Sequence, residues 1–244
     1  MTWPPLSTSA WLRMDAIRNA FDIARPVTVL EIGPGLGALA CRLAESYDYT
    51  GVELDPVSYQ ILASQLAALG KGEVLQGSPA SLHDRQFDLV CAFEVLEHIA
   101  DDAGALRDWH RLLRQEGHLL LSVPAHVEKF GPLDELVGHF RRYDRMALET
   151  LIANAGFDDI RFFSYGFLLG HAIHCISSKI ARRRKLPASV SQATGESARF
   201  LQPSSMIGGV LRWLAALPFR WLQRPFAASN IGTGFVVLAR KKQD

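Results

Sequence analysis

The segment Val27-Thr28-Val29-Leu30-Glu31-Ile32-Gly33-Pro34-Gly35-Leu36-Gly37 constrains this chain more than any other. Its first half is an apolar, β-branched run, the pattern of a buried strand. It then breaks into Gly33, Gly35 and Gly37 and continues as Ala38-Leu39-Ala40-Cys41-Arg42-Leu43-Ala44, a helical pattern. Strand, glycine turn and helix in that order form a cradle for a nucleotide. Glycine is needed where the backbone approaches a ligand so closely that a Cβ would clash. A βα unit of this kind requires further parallel strands beside it, so the class is α/β. The 244 residues suit one domain with an ample core, or one domain carrying a large insertion.

The flanking segments extend that unit. Leu6 to Ile23 reads as an amphipathic helix with Trp11, Met14, Ile17 and Phe21 on one stripe, capped by Ser7 or Thr8. Tyr49 to Glu53 reads as a second strand, and Glu53 lies 20 residues after Gly33. A carboxylate at that strand end accepts hydrogen bonds from the two hydroxyls of a ribose. Asp55 and Pro56 read as the N-cap and first residue of a helix that Gly70 stops. Gly72 to Gln76 is a short third strand and Phe87 to Phe93 a fourth, apolar after Asp88 as in a strand covered on both faces. Asp101 caps a helix with stripe Leu106, Trp109 and Leu113, which Gly117 ends. Leu119 to Pro124 is the fifth strand.

Ala125 to Tyr143 reads as a long loop holding His126, Asp134, Glu135, His139, Arg141, Arg142 and Tyr143. Polar groups at the carboxyl edge of a parallel sheet are placed to bind a substrate. The alternative is that Arg141 and Arg142 are solvated or pair with Asp134 and Glu135. Asp144 caps another helix, which Gly156 closes, and Phe157 to Tyr165 and Gly234 to Arg240 are the last two strands. Roughly 65 residues separate those strands, far beyond ordinary loop length. Residues 167–232 hold two apolar helical segments, Phe167 to Ile176 and Met206 to Trp221, beside basic residues such as Lys179, Arg182 to Lys185, Arg212, Arg220 and Arg224. Aromatic, aliphatic and basic groups together suit a membrane interface, a cap on the domain or a dimer face. Pro187 to Ser205 reads as a flexible link.

Composition narrows the partners. With 26 basic and 25 acidic residues, the net charge of +1 gives no argument for nucleic acid. Cys41, Cys91 and Cys175 are far apart inside apolar patterns and read as small core residues in a reducing compartment. Met1 to Pro5 lacks the pattern of a signal peptide, and no run of about 18 apolar residues occurs, so a cytoplasmic setting is expected. No metal-ligand spacing is visible.

Glu31 two residues before the first glycine, and the third glycine at Gly37, resemble the cofactor loop of class I S-adenosylmethionine-dependent methyltransferases. Gly33, Gly35 and Ala38 also satisfy the looser dinucleotide pattern, so the loop alone leaves both open. Glu94-Val95-Leu96-Glu97-His98-Ile99 resembles the family's motif after the fourth strand, which a nicotinamide oxidoreductase does not explain. Ser78 stands where the family often has the Asp that reads adenine, a departure that also admits a binding module without turnover. Gly138 to Tyr143 is similar to a stretch found in methyltransferases of polysaccharide and lipid-linked glycan pathways.

The resemblance implies a three-layer Rossmann-like fold: a seven-stranded sheet of order 3-2-1-4-5-7-6, its last strand antiparallel, with 167–232 as an insertion in a single domain spanning 1–244. It implies S-adenosylmethionine as cofactor, held by Glu31, Gly33, Gly35, Gly37, Glu53, Leu54, Ser78, Pro79 and Glu94. The acceptor is then a small molecule, glycan or lipid-linked compound, with O-methylation favoured. His126, Arg141, Arg142 and Tyr143 are the expected substrate contacts, and His98 and His139 the candidate bases.

Overall fold

The computed structural model describes residues 4–183 and 206–243. Helix α1 (Thr8–Ala24) leads into β1 (Thr28–Ile32), α2 (Ala40–Ser46), β2 (Asp48–Glu53), α3 (Pro56–Leu69), β3 (Glu73–Gln76) and β4 (Phe87–Phe93). Then follow α4 (Asp102–Arg111), β5 (Leu113–Pro124), α5 (Pro132–Val137), α6 (Arg145–Asn154) and β6 (Phe157–Tyr165). Helices α7 (Leu169–Ala181) and α8 (Met206–Gln223) precede β7 (Gly234–Lys241).

The strands form one seven-stranded sheet in the order β3-β2-β1-β4-β5-β7-β6. β1 runs parallel to β2 and β4, while β7 lies antiparallel between β5 and β6, with Leu120 opposite Leu238 and Phe163 opposite Val236. The expected strand order and the antiparallel last strand are both present. Period-two alternation fills the space above and below the sheet. Leu30, Val90, Leu119, Leu121 and Val237 pack with Leu106, Trp109, Leu148 and Ile152 on one side. Val29, Cys91, Leu120, Val236 and Leu238 pack with Met14, Ile17, Phe21, Cys41 and Leu62 on the other. Helices therefore cover both faces, and the fold has three layers.

Local signals in the sequence act as expected at several helix ends. The Ser7 hydroxyl accepts the Ala10 N–H at 3.1 Å, and an Asp55 carboxylate oxygen accepts the Ser58 N–H at 2.8 Å. Two segments and one cysteine differ from the sequence reading. Helix α4 ends at Arg111 because Leu113 already pairs with Phe87, so Gly117 lies within β5 and stops no helix. The register then shifts between Phe87 and Leu89, and Glu116 takes φ 62° in that irregularity. The stretch after β5 is no structureless loop. It folds into a 3-10 turn, Val127–Lys129, and the short helix α5, and Ala125 and Tyr143 close it with a parallel bridge. Cys41 and Cys91 are buried as expected, whereas Cys175 is exposed on α7.

In the insertion, α8 packs against α1. Arg220 pairs with Asp15, and the Gln223 amide donates to the Leu12 carbonyl. Pro187 to Ser205 lies outside the described residues, as do Arg184 and Lys185 and the side chains of Arg212 and Trp213. No helix of the described residues is long and apolar enough to cross a membrane.

Candidate active site

The carboxyl ends of β1, β2 and β4 converge on the glycine loop. Gly33 has φ 66°, and a Cβ on it would stand 2.8 Å from Val95 Cγ2. Gly37 has φ 78°, and a Cβ there would meet Leu62 Cδ1 at 2.5 Å. Side chains at these two positions would be strained in backbone and in packing alike. The Gly35 N–H donates to Glu53 Oε2 at 2.8 Å, and the Asp55 N–H donates to Glu53 Oε1 at 2.9 Å. Glu53 is thus a buried carboxylate fixed by two amides at the end of β2. Burial raises its pKa, against those two hydrogen bonds. Beside it, Leu54 is 70% exposed, an apolar lip on the cleft. Ser78 is exposed and Pro79 half-buried at the start of a 3-10 turn following β3.

Helix α1 closes the other wall. Arg13, Met14 and Ile17 from α1 line a cleft with Glu31, Gly33, Pro34 and Phe93. Glu31 accepts the Tyr49 hydroxyl at 2.8 Å, and burial pushes its pKa up to about 7. Glu94 sits at φ 58°, where its carboxylate accepts Ser122 Oγ at 2.9 Å and the Tyr165 hydroxyl at 2.8 Å, 3.3 Å from Arg13 Nη1. Burial works against the Arg13 charge, but Glu94 and Tyr165 outweigh it and hold its pKa above the usual value. The Arg13 Nε is buried without an acceptor among the described residues. Nothing in the local sequence marks Arg13 as a functional residue. Its significance appears only once α1 folds over the glycine loop.

The second half of the site lies past β4. His98 Nδ1 is 3.2 Å from the Gly138 carbonyl, and its ring meets His139 edge-to-face at 4.6 Å between centroids. Burial, then His139, pushes the His98 pKa down to about 4. His139 Nδ1 is 2.9 Å from Asp134 Oδ1. The other expected acceptor residues have protein partners. The Arg142 guanidinium is buried and donates to Asp134 Oδ1 at 2.9 Å. The Tyr143 hydroxyl donates to Asp102 Oδ2 at 3.1 Å, and burial raises its pKa. Arg141 pairs with Asp102 at 2.7 Å, and His126 Nε2 lies 2.9 Å from the Gly232 carbonyl. The structure therefore brings His98 and His139 together. Arg142, Tyr143 and His126 instead hold the segment after β5 against α4 and the start of β7.

The residues present fit an adenosyl cofactor bearing an amino-acid end. Glu53 offers carboxylate oxygens to a ribose, Leu54 an apolar surface to a base, and Arg13 an unused donor to a carboxylate. Comparison with known proteins agrees. The model of a methyltransferase domain family matches residues 12–161. A probable S-adenosylmethionine-dependent methyltransferase of Mycobacterium tuberculosis is 31% identical over 147 residues, 56% of this chain and 50% of that protein. A ubiquinone biosynthesis O-methyltransferase of Yersinia enterocolitica is 31% identical over 126 residues, 49% of this chain and 51% of that protein. The chain thus spans about half the length of the curated relatives it matches. Phosphoethanolamine N-methyltransferase 2 of Haemonchus contortus, solved with S-adenosyl-L-methionine, superposes with a TM-score of 0.58 at 14% identity, covering 95% of this chain and 53% of that one. At that identity the likeness speaks for the fold. The sheet order, the antiparallel β7 and the family model, which covers more than half of the 244 residues, resolve the two readings of the glycine loop: this chain belongs to the class I methyltransferase domain family.

Proposed function

We propose that this chain transfers a methyl group from S-adenosylmethionine to a hydroxyl of a small-molecule, glycan or lipid-linked acceptor. The observation that carries the reading is Glu53, fixed by the Gly35 and Asp55 amides at the mouth of a glycine loop. When bound, S-adenosylmethionine supplies a methyl group activated by its sulfonium. Glu53 accepts hydrogen bonds from the ribose. Arg13 pairs with the carboxylate of the amino-acid end, and Glu31 faces its ammonium group. Leu54 lies against the adenine, and Ser78 and Pro79 border it. Positioning an acceptor in line supplies much of the rate. A hydroxyl acceptor also needs its oxygen activated, and the His98–His139 pair stands on that side. The O-methyltransferase name of the Yersinia relative favours oxygen.

Glu53→Ala is expected to weaken S-adenosylmethionine binding by at least ~1.5 kcal/mol, the loss of a charge-assisted hydrogen bond. Titration calorimetry measures it, and unchanged affinity would remove Glu53 from the site.

The insertion is the proposed contact with an anionic membrane surface, where a lipid-linked acceptor would be presented. Exposed Ile176 and Ile180 stand on α7 with Lys179, and Trp221, Leu222 and Phe226 stand at the end of α8 with Arg224. Basic groups near anionic lipid contribute about 1 kcal/mol each. The full chain is expected to sediment with anionic vesicles at low salt and to be released at high salt. A chain that stays in the supernatant at low salt would refute the contact.

A further inference from the structure

We propose that Gln223, on helix α8 of the insertion, is a positioning residue for the cofactor site: it sets Arg13 for the carboxylate at the amino-acid end of S-adenosylmethionine. Arg13 has that role in the methyltransferase reading, on which the inference rests. The tie between α8 and Arg13 is a matter of geometry.

Gln223 is buried, and its side-chain amide is used at both ends. Its Nε2 donates to the Leu12 carbonyl at 2.6 Å, and its Oε1 accepts the Gly166 N–H at 2.9 Å. Leu12 precedes Arg13 on α1, and Gly166 follows Tyr165 at the end of β6. Arg13 and Tyr165 in turn meet at one carboxylate oxygen. Glu94 Oε1 accepts the Tyr165 hydroxyl at 2.8 Å and lies 3.3 Å from Arg13 Nη1. A single amide therefore bridges the main chain beside both residues that hold Glu94. The bridge requires a donor and an acceptor on one side-chain head, and a glutamate in its place could not donate to the Leu12 carbonyl.

Arg220 stands one helical turn earlier, on the same face of α8, and is also buried. It pairs with Asp15, while Trp221 and Leu222 between the two residues are exposed. The points gripped on α1, Leu12 and Asp15, bracket Arg13 and Met14, and both of these line the cleft. Apolar packing of Leu12, Ile17 and Phe21 holds α1 on the sheet, but packing of that kind is non-directional. The hydrogen bonds from Gln223 and Arg220 are directional, so they fix how far α1 rotates and slides. Arginine has many rotamers to lose, and its guanidinium meets a carboxylate well only when the backbone beneath it is already in place. The insertion therefore completes the cofactor wall from behind.

The test is calorimetry on the full chain with two ligands. One is S-adenosylhomocysteine. The other is 5′-methylthioadenosine, which has the same adenosine and thioether but no amino-acid end. Gln223→Ala should weaken S-adenosylhomocysteine binding at least about fivefold, the worth of one hydrogen bond, and leave 5′-methylthioadenosine binding unchanged. Arg13→Ala should show the same selective loss. The double variant should bind no more weakly than Arg13→Ala, because Gln223 acts through Arg13. A residue with a structural role alone would weaken both ligands alike and add to the effect of Arg13→Ala. Circular dichroism checks folding. If Gln223→Ala fails to fold, Gln223→Met, which keeps the volume, and Arg220→Ala carry the same test. Failure of all three to fold assigns α8 a structural role alone and overturns the proposal. Unchanged S-adenosylhomocysteine affinity in Gln223→Ala, or equal loss for both ligands, overturns it as well and leaves the methyltransferase reading intact. Unchanged affinity in Arg13→Ala removes Arg13 from the site, and the proposal with it. A wild-type chain that binds neither ligand refutes the methyltransferase reading itself.

Discussion

His139→Ala is expected to lower methyl turnover by roughly 10²–10⁴-fold while leaving S-adenosylmethionine affinity unchanged. That loss corresponds to about 2.7–5.5 kcal/mol of transition-state stabilisation. The imidazole stands between Asp134, 2.9 Å from Nδ1, and Glu97, 3.7 Å from Nε2, with its ring against His98. It makes none of the hydrogen bonds that fix Glu53, Glu31 or Arg13 on the cofactor side. Its removal therefore strips activation from the acceptor oxygen and leaves the cofactor's partners in place. His98, with its pKa pushed down to about 4, is a poor proton acceptor near neutrality. Single-turnover kinetics beside calorimetry make the measurement. A variant that loses cofactor affinity, or keeps its rate, would remove His139 from the acceptor site.

The half of the site that binds cofactor was largely legible in the sequence because its signals are local. The glycine spacing, Glu53 at a strand end and the Asp55 cap each need only neighbours in sequence. Arg13 was not legible, since an arginine off the apolar stripe of an amphipathic helix looks solvated until α1 lies over the loop. The acceptor side depends on tertiary placement and was harder. Arg142 and Tyr143 read as substrate contacts on a long polar loop, with pairing of Arg142 to Asp134 or Glu135 as the alternative, because the stretch after β5 carries little periodicity. In the fold, the Ala125–Tyr143 bridge draws that stretch inward and buries both. Glu97 was visible within the motif, but the burial of its carboxyl group beside Glu94, Arg13 and Asp134 is a property of packing. His139 lies 42 residues beyond Glu97, so no spacing pattern could have joined them. Gly117 misled for the opposite reason: a strong local stop signal was overridden when Leu113 paired with Phe87.

Asp134→Ala is expected to destabilise the chain by about 3–5 kcal/mol, the cost of breaking a buried ion pair on one side. Asp134 is fully buried, and Arg142 is 6% exposed. Without its carboxylate partner, the guanidinium keeps, among the described residues, only neutral groups, the Ala125 carbonyl at 3.4 Å and His174 Nδ1 at 3.2 Å. The Gly131 N–H at the start of α5 and His139 Nδ1 lose their acceptor as well. Most of the penalty is thus the stranded charge rather than the worth of the pair, and this gives the prediction its sharper form. In Asp134→Leu/Arg142→Met no charge is left behind, so the double variant should be less destabilised than the sum of its single changes. The sign with pH follows from the lowered Asp134 pKa. Its contribution is fully present above the ordinary carboxylate pKa and is lost as pH falls through the lower folded value. The gap between wild type and Asp134→Ala should therefore be constant near neutrality and narrow in acid. Urea unfolding of the wild type, both single variants and the double variant across that range gives the four free energies. Additive losses, or a gap that widens in acid, would show that Asp134 and Arg142 do not act as a buried pair.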